Sequence, residues 1–571
     1  MNAVAEYQRW LENVKEEQFL EDLRSISSNE KEIEDRFFQP LSFGTAGMRG
    51  VLAMGTNRMN VYTVGRATQG LADYINEITS SGKVAIAYDS RHQSKEFAEE
   101  TAQILAANGI KAFLYDRLMP VPMGSFAIRE LGCDAGVVIT ASHNPSIYNG
   151  YKVYGSDGCQ MTDEAANLVL QKIEALDYFD GVQSITLEDG LANKSIEYIS
   201  DEVIEHYYEN VLAQRQSPEA PINAPITIVY TPLNGAGNEP VREVLKRAGH
   251  NNIHVVKEQE FPDGDFPTCP YPNPEIAEAK ALGLKLCQEV KPDLFIATDP
   301  DSDRVGAAFP DKEGNYIAIT GNEAGVLMLD YILKSRKEHG TMPSNPIAVR
   351  SIVSTALADE LCAASNVEMK VVLTGFKYIG EQILHLEQAG ETDRFLFGFE
   401  ESCGYLSGTY ARDKDGVFAS MLLAEMTSYY KEKGVLVTEV LKELYDTYGY
   451  YKHSVANIAF PGAEGSEKMK AVTAALRAQP PKMIGGFSVV SREDIKTHEK
   501  VDQSGEVSYI DLPTSDVLVY QLSNGAKVIV RPSGTEPKMK LYITAKENTE
   551  KASMDLCDLL ERDMKKIAGL E

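Results

Sequence analysis

Short apolar runs alternate with longer stretches of helical periodicity over most of the chain. The runs that predict strands are Val84–Tyr88, Ala135–Thr140, Ile226–Tyr230, Leu294–Thr298, Ile347–Val349 and Val371–Leu373. A turn follows each run, and a helical pattern of roughly 10–15 residues usually comes next. This alternation predicts α/β units with mainly parallel strand pairing.

The two ends of the chain depart from this pattern. Residues 4–24 carry apolar positions at helical spacing and predict one amphipathic helix. Near the other end, Asn524-Gly525 separates the alternating apolar runs 517–522 and 526–530. An Asn-Gly pair in this position is a strong hairpin signal, so the last part is predicted to be α+β.

The length favours several domains. At roughly 150 residues per domain, 571 residues correspond to about four domains. A Pro-containing segment at 216–225 and changes of pattern near Gly321 and Gly449 indicate the seams. We predict four domains, over residues 1–203, 204–321, 322–445 and 446–571, with the first boundary placed ahead of the Pro-containing segment.

Charge and cysteine usage restrict the class of protein. The chain has 56 Lys and Arg against 84 Asp and Glu, a net charge of −28, which argues against binding to nucleic acid or to anionic lipid. No run of 18 apolar residues is present, and the acidic N-terminal segment does not read as a signal peptide. Seven cysteines without a CxxC pair favour a reducing compartment, so a cytoplasmic protein is expected.

The segment Asp299-Pro-Asp301-Ser-Asp303-Arg304 follows a predicted strand. Three carboxylates at alternate positions of an extended segment project to one side, and oxygen ligands in that number suit Mg²⁺. An EF-hand is excluded, because its sixth and twelfth positions would be Arg304 and Pro310. The alternative is a solvated acidic turn.

Ser142 lies in the segment TASHNP (140–145), between another predicted strand and a proline. A serine displayed in this way can act as a nucleophile, although it can equally cap a turn. The segment lacks the GxSxG pattern of serine hydrolases. Neighbouring side chains on a turn usually diverge, so His143 is not expected to serve Ser142 as a base.

Three further segments are rich in polar donors or glycine. RPSGTEP (531–537) places Arg, Ser and Thr around a glycine and suits a phosphate group, or else forms an ordinary turn. GTAGMRG (44–50) and EESCG (400–404) are weaker indications of a binding site, and each is also compatible with a plain loop. A P-loop, a zinc motif and a complete dinucleotide fingerprint are all absent from the sequence.

Taken together, a displayed serine, a three-carboxylate metal site and a separate phosphate cradle indicate phosphoryl transfer on a small phosphorylated molecule. The sequence carries no ATP motif. The phosphoryl group can therefore reside on the protein itself, with Ser142 as its carrier.

These segments resemble the α-D-phosphohexomutases, in particular the phosphoglucomutase/phosphopentomutase branch. The matching motifs occur in family order and span roughly residues 40 to 570: GTAGMRG, TASHNP, DPDSDR, GFEES (398–402) and RPSGTEP. Intermediate segments match as well, among them AYDSRHQS (87–94), YTPLNGAG (230–237), TGFKYIG (374–380) and ARDKDGV (411–417).

The resemblance implies an α/β fold of four domains around a central cleft: three similar mixed α/β domains and a smaller α+β C-terminal domain. Ser142 is then the phosphoserine, and Asp299, Asp301 and Asp303 bind Mg²⁺ together with it. The implied catalytic cations are Arg49, Lys152 and Arg304. The implied substrate-binding residues are Thr374, Lys377, Glu400, Ser402, Arg531, Ser533, Gly534 and Thr535.

The implied reaction interconverts glucose 1-phosphate and glucose 6-phosphate through glucose 1,6-bisphosphate. Phosphopentomutase and phosphomannomutase activities remain alternatives, as does a metal-dependent sugar phosphatase. The expected partner is a small phosphosugar, and the protein is expected to be a monomer or a weak homo-oligomer. Tyr405 stands where some relatives have a proton-transferring histidine, which leaves Lys152, Lys377 and Lys414 as candidate bases.

Overall fold

A computed structural model of the chain describes residues 2–44, 47–460, 462–532 and 538–570. The chain divides into two compact units. The first unit comprises Met1–Ile347 and Phe376–Val437, and the second comprises Ala348–Gly375 and Thr438–Glu571. Each unit is described separately below.

Three helices open the first unit: α1 (Ala3–Asn13), α2 (Glu17–Ser25) and α3 (Glu30–Phe37). The prediction of a single helix over residues 4–24 is therefore wrong, because Val14 adopts an extended backbone conformation and ends α1. The turn that follows places Trp10, Val14 and Leu23 in one buried apolar cluster. Burying this apolar surface offsets the helical hydrogen bonds lost at the break.

A seven-stranded sheet follows in the first unit. Its elements are β1 (Phe43–Gly44), β2 (Gly47–Val51), α4 (Val61–Ile78), β3 (Lys83–Tyr88), α5 (Ser94–Ala107), β4 (Lys111–Leu114), α6 (Val121–Glu130), β5 (Ala135–Ile139), β6 (Tyr148–Gly155), α7 (Asp163–Ala175), α8 (Leu187–Asn193), β7 (Ile196–Tyr198), α9 (Asp201–Leu212) and α10 (Ala220–Asn223). The strand order is β1-β2-β6-β5-β3-β4-β7.

This first sheet is mixed rather than mainly parallel. Strands β5, β3, β4 and β7 pair in parallel, whereas β5–β6, β6–β2 and β2–β1 pair antiparallel. A turn too short for a crossover helix joins β5 to β6, and two strands joined in this way have to be antiparallel. That turn carries Ser142.

A five-stranded sheet comes next, in the order β12-β11-β10-β8-β9. Its elements are β8 (Thr227–Thr231), α11 (Asn238–Arg247), β9 (Asn252–Val255), α12 (Ala277–Val290), β10 (Leu294–Thr298), β11 (Val305–Pro310) and β12 (Tyr316–Ile319). Strands β8, β9 and β10 pair in parallel, and β11 returns antiparallel to β10. The β10–β11 turn carries Asp299, Asp301 and Asp303. Like the serine turn between β5 and β6, this acidic turn joins two adjacent antiparallel strands.

The next stretch of chain contributes to both units. Its elements are α13 (Gly321–His339), β13 (Ile347–Ser351), α14 (Leu357–Ala364), β14 (Glu368–Val372), α15 (Phe376–Ala389), β15 (Phe395–Glu400), β16 (Gly404–Leu406), α16 (Gly416–Glu432) and α17 (Val437–Tyr448). Strands β15 and β16 form an antiparallel pair with Gly398 opposite Leu406. Their connection carries Ser402 and begins at Glu400.

The C-terminal part of the second unit is an antiparallel sheet. Its elements are β17 (Tyr450–Ala459), α18 (Gly462–Ala478), β18 (Met483–Ile484), β19 (Phe487–Asp494), β20 (Glu499–Asp502), β21 (Val507–Tyr509), β22 (Leu518–Leu522), β23 (Lys527–Pro532), β24 (Lys538–Glu547) and α19 (Glu550–Ile567). The predicted hairpin is confirmed: Leu518 pairs with Val530 across β22 and β23, and Gly525 in the turn has φ +85°.

Two further features concern membrane-spanning helices and the state of the cysteines. Across the residues that the structure describes, no helix has both the length and the apolar character required to cross a membrane. All seven cysteines are buried and carry free thiols.

Candidate active site

Ser142 lies in the turn that leaves β5, and its backbone is in the left-handed region with φ +52°. The Thr140 hydroxyl oxygen accepts the backbone N–H of Ser142 at 2.8 Å, which holds the start of the turn. Gly150 on β6 permits the close approach of this segment, because a Cβ there would lie 2.4 Å from the carbonyl oxygen of Thr140. Ser142 itself is buried.

The acidic turn is organised by its first carboxylate. Asp299 Oδ1 accepts the backbone N–H groups of Asp303 at 3.1 Å and Arg304 at 3.0 Å. Ser302 has φ +51°, which reverses the chain within the turn. All three aspartates are buried, so their charges are held away from bulk water.

The segment YTPLNGAG packs directly on the acidic turn. The Ala236 N–H donates to the Pro300 carbonyl oxygen at 2.7 Å. A Cβ at Gly235 would lie 2.4 Å from Pro300 Cα, and a Cβ at Gly237 would lie 2.7 Å from the Ser302 hydroxyl oxygen. These glycines therefore allow close backbone approach to the turn, a function unrelated to dinucleotide binding.

The serine turn and the acidic turn meet. The Ser142 hydroxyl donates to Asp299 Oδ2 at 2.8 Å, and the Thr140 hydroxyl donates to Asp301 Oδ2 at 3.1 Å. The backbone N–H of Val121, at the start of α6, donates to the Asp301 carbonyl oxygen at 2.9 Å. The predicted serine and the predicted carboxylates thus form one buried cluster.

Two lysines complete this cluster. Lys152 on β6 places Nζ 2.9 Å from Asp301 Oδ2 and 3.4 Å from Asp303 Oδ2. Lys414, which precedes α16, places Nζ 3.0 Å from the same oxygen of Asp303 and 3.1 Å from Asp413 Oδ1. Asp303 therefore lies between two buried ammonium groups.

The pKa shifts follow from this crowding. Burial, together with the charges of Asp301 and Asp303, raises the pKa of Asp299 well above its usual range. Burial alone would also raise the pKa of Asp303, but Lys414 and Lys152 outweigh it and hold that pKa well below the usual range. Burial would lower the pKa of both lysines, yet the neighbouring carboxylates raise it above the ordinary value.

The three aspartates fit a divalent cation. Each offers one carboxylate oxygen, and these oxygens lie within 4.8 Å of one another. Asp301 Oδ1 and Asp303 Oδ1 are buried and accept no hydrogen bond from the described part of the chain. Buried carboxylate oxygens left without donors are the groups that a hard cation such as Mg²⁺ coordinates.

The expectation that His143 diverges from Ser142 is wrong. His143 Nδ1 lies 3.1 Å from Ser142 Oγ, because the left-handed backbone at Ser142 removes the alternation of side chains found in an extended segment. Burial, followed by the charges of Arg304 and Arg49, lowers the pKa of His143 well below its ordinary value. The imidazole beside Ser142 is therefore neutral at pH 7.

The two predicted arginines lie beside the cluster. Arg304 Nη1 donates to Glu275 Oε1 at 2.8 Å, and its Nε is 3.8 Å from Asp303 Oδ1. Arg49 on β2 is exposed, and its Nη1 donates to Asn144 Oδ1 in the serine turn at 3.2 Å. Arg49 is thus held at the serine turn on the side open to solvent.

The sequence also predicts further residues of the site; among them, Glu400 interacts electrostatically with Lys414 and Arg304. Lys377 pairs with Asp163. Glu400 is buried at the end of β15, and Ser402 is half-buried in the following turn. Thr374 belongs to the second unit, where its hydroxyl is buried without a hydrogen-bond partner in the described part of the chain.

The predicted phosphate cradle is described only in part. Arg531 lies on β23 of the second unit, opposite Lys540 on β24. Ser533, Gly534 and Thr535 lie outside the described residues.

Sequence reasoning missed two contributors to the cluster. The sequence indicates Lys414 only as a candidate base, although its ammonium group pairs directly with Asp303. The sequence gives no signal for Arg91, in the segment AYDSRHQS, yet its buried guanidinium contacts the serine turn. Both residues lie in segments that match the family, ARDKDGV and AYDSRHQS. The spacing of residues along the chain does not reveal which turn their side chains contact.

Comparison with known proteins agrees with this arrangement. Three family profiles match in order: phosphoglucomutase/phosphomannomutase alpha/beta/alpha domain I over residues 40–179, domain II over residues 204–314 and domain III over residues 320–448. The predicted α/β class is confirmed, with three α/β/α domains and a C-terminal β-rich part.

The chain is similar to a phosphoglucomutase of Staphylococcus epidermidis, with 36% identity over 538 residues that cover 94% of this chain and 96% of the relative. Among solved structures, a putative phosphomannomutase from Thermus thermophilus shares the fold with a TM-score of 0.68 and 21% identity, covering 93% of this chain and 99% of that one. Parafusin, a phosphoglucomutase from Paramecium, gives a TM-score of 0.68 at 16% identity, covering 93% and 96%.

The matched domains, the relative that aligns along nearly its whole length, and the order of the site segments agree with one another. The chain belongs to the phosphoglucomutase/phosphomannomutase family.

Proposed function

We propose that this protein is a phosphoglucomutase, which interconverts α-D-glucose 1-phosphate and glucose 6-phosphate through a phosphoserine at position 142. One observation carries the proposal: the Ser142 hydroxyl lies 2.8 Å from a carboxylate of a buried triple-aspartate cluster. The similarity to a phosphoglucomutase over 94% of the chain favours glucose over other sugars as the substrate.

In the first half-reaction, the bond between phosphorus and Ser142 Oγ breaks as a new bond forms to the free hydroxyl of the hexose monophosphate, and the proton of that hydroxyl ends on Ser142 Oγ. The resulting glucose 1,6-bisphosphate changes its orientation within the site. Its other phosphoryl group then returns to Ser142, and the isomeric monophosphate leaves. Positioning and charge neutralisation supply most of the catalysis in phosphoryl transfer of this kind.

Asp299, Asp301 and Asp303 would hold Mg²⁺ together with an oxygen of phosphoserine 142. Bound there, the ion would supply positive charge to the oxygens of the transferring phosphoryl group. The aspartates keep their carboxylate oxygens together in a buried turn, so little reorganisation is required when the cation binds.

Lys152 and Lys414 act as cations in this proposal. Neighbouring carboxylates raise the pKa of both lysines, so both keep their protons at neutral pH. A lysine in that state is a poor general base, but it can stabilise negative charge on the phosphoryl oxygens. Arg49, at the serine turn, and Arg304, next to Asp303, extend the same positive charge.

The sugar and its second phosphate require further residues. We assign Glu400 and Ser402 to the sugar hydroxyls, since carboxylate and hydroxyl groups bind these well, and we add Thr374 and Lys377 from the resemblance. Arg531, Ser533, Gly534 and Thr535 would bind the phosphate that is not reacting. These roles, the four-domain boundaries and the central cleft remain predictions.

A cytoplasmic location and a monomeric or weakly associating state are part of the same proposal. Seven free, buried thiols favour a reducing compartment. The net charge of −28 argues against nucleic acid and anionic membranes as partners, and the local cations Arg49, Lys152 and Arg304 suit a small phosphosugar.

A coupled assay with three substrates tests the proposal. Glucose 1-phosphate, mannose 1-phosphate and ribose 1-phosphate are each supplied with Mg²⁺ and a catalytic amount of the corresponding bisphosphate. We expect the highest kcat/KM for glucose 1-phosphate, with glucose 6-phosphate as product and little free phosphate. Release of phosphate without isomerisation would indicate a phosphatase, and a preference for ribose 1-phosphate would indicate a phosphopentomutase.

A further inference from the structure

Arg91 lies directly beneath the serine turn, and its side chain has no exposed surface. Its Nη1 donates to the carbonyl oxygens of Pro145 at 2.8 Å and Tyr148 at 3.1 Å. Its Nη2 donates to the carbonyl oxygen of Ser142 at 2.5 Å and also to that of Asn144. Four carbonyl oxygens of one turn therefore converge on a single guanidinium.

The guanidinium is itself fixed in place. Its Nε lies 3.3 Å from Asp89 Oδ2, an ion-pair contact in which neither atom forms a hydrogen bond within the described part of the chain. Asp89 Oδ1 accepts the backbone N–H of Arg91 at 2.9 Å and the hydroxyl of Ser94 at 2.7 Å. The ring of Phe266 covers the guanidinium, with its centroid 5.0 Å from Cζ.

The turn requires such support. A non-glycine residue in the left-handed region, as Ser142 is, is strained and persists only where the surroundings fix it. Carbonyl groups that point inward at a buried site also need donors, because an unpaired buried acceptor is costly. Arg91 meets both needs at once.

We propose that Arg91 is a positioning residue for phosphoryl transfer at Ser142. By binding four carbonyl oxygens, it holds the turn in the conformation that directs Ser142 Oγ at the carboxylate of Asp299. Its side chain contacts the backbone of the turn, and it acts on the reaction through Ser142. The proposal rests on the proposed role of Ser142 as the phosphoryl carrier.

Two variants separate the charge of Arg91 from its geometry. Arg91→Met keeps an unbranched apolar side chain and removes every donor. Arg91→Lys keeps the positive charge beside Asp89, but its compact ammonium group cannot reach four carbonyl oxygens. We expect kcat to fall about 100-fold in both variants, since small misplacements of reacting groups have effects of this size. KM should stay close to the wild-type value.

Arg36→Met is the matched control. Arg36 is also a buried arginine, and it donates to one carbonyl oxygen, that of Met54, at 3.3 Å. It also pairs with Asp22 and Glu32 among the N-terminal helices. We expect this variant to lose thermal stability while its folded fraction keeps wild-type kcat.

Hydrogen exchange of the peptide spanning residues 141–149 gives a readout independent of activity. Faster exchange confined to this peptide in the Arg91 variants, with a fall in kcat, would support the proposal. Wild-type kcat in Arg91→Lys and Arg91→Met, or a loss of activity that only follows unfolding as in Arg36→Met, would overturn it. If Arg91→Met does not fold, Arg91→Lys carries both measurements.

The same comparison separates this inference from the proposed function. If the wild-type protein does not isomerise glucose 1-phosphate, the proposed function fails, and the exchange data alone decide the role of Arg91 in the turn. Unchanged exchange in residues 141–149 would then overturn the positioning role, and faster local exchange would support it.

Discussion

Replacing Asp303 with asparagine tests the charge balance of the cluster. Asp303 Oδ2 lies 3.0 Å from Lys414 Nζ and 3.4 Å from Lys152 Nζ, and all three side chains are almost fully buried. The substitution keeps the size of the side chain but removes its charge. Two buried ammonium groups then lose a shared partner.

The distances from Asp303 to the two lysines determine how much stability the variant should lose. At an effective dielectric constant of about 20, unit charges this far apart attract each other by about 5 kcal/mol per pair. Desolvation offsets much of this attraction, so the net cost of removing one partner from a buried pair is about 3–5 kcal/mol. We therefore expect the free energy of unfolding of Asp303→Asn to fall by about that amount.

Scanning calorimetry in EDTA measures this effect without a contribution from bound metal. The variant Glu313→Gln, which removes an exposed acidic charge from the β11–β12 turn, is the control and should melt like the wild type. Adding Lys414→Met to Asp303→Asn removes one of the two cations that have lost this partner, so part of the lost stability should return. Activity should not return, because the carboxylate ligand is still missing.

Two results would contradict the reasoning. If Asp303→Asn melted at the same temperature as Glu313→Gln, Asp303 would not compensate the two lysines. If the double variant were no more stable than Asp303→Asn, the loss would come from a cause other than the missing partner of the two lysines.

Two further predictions concern packing and pH. Gly150→Ala should lower kcat while the protein still folds, because the new Cβ would meet the Thr140 carbonyl oxygen at 2.4 Å and displace the serine turn; wild-type kcat would contradict this. Burial, with a smaller effect of Arg215, lowers the pKa of His250 to about 4. Because the unfolded chain has a histidine pKa near 6.5, about 3 kcal/mol of stability should be lost as the pH falls from 6.5 to 4. Urea titrations of His250→Leu should show a flatter pH dependence, and an unchanged slope would refute the assignment.

The sequence predicts the strands and turns of the site well. The run Leu294–Thr298 is a strand with those bounds, and the predicted Ala135–Thr140 strand ends one residue earlier, at Ile139. Their apolar residues are buried on both faces, so the signal is continuous and local. The alternate spacing of Asp299, Asp301 and Asp303 indicates a cation site for the same reason, since all three carboxylates come from one turn.

Contacts between distant segments could not be predicted in this way. Lys414 and Arg91 reach the site from segments far from the turns that they contact, and only tertiary packing brings them there. The position of His143 depends on the positive φ of Ser142, a conformation that the pattern of residue types does not indicate. The break after α1 depends likewise on a buried cluster that joins several helices.

The most direct test of the account is the phosphorylation of Ser142. The wild-type protein and Ser142→Ala are incubated with glucose 1,6-bisphosphate and Mg²⁺, and intact mass and mutase turnover are measured on the same samples. The wild-type protein should gain the mass of one phosphoryl group, located by peptide mapping at Ser142, and should isomerise glucose 1-phosphate. Ser142→Ala should gain no phosphoryl group and show no turnover, whereas near-normal turnover by Ser142→Ala would contradict the mechanism proposed here.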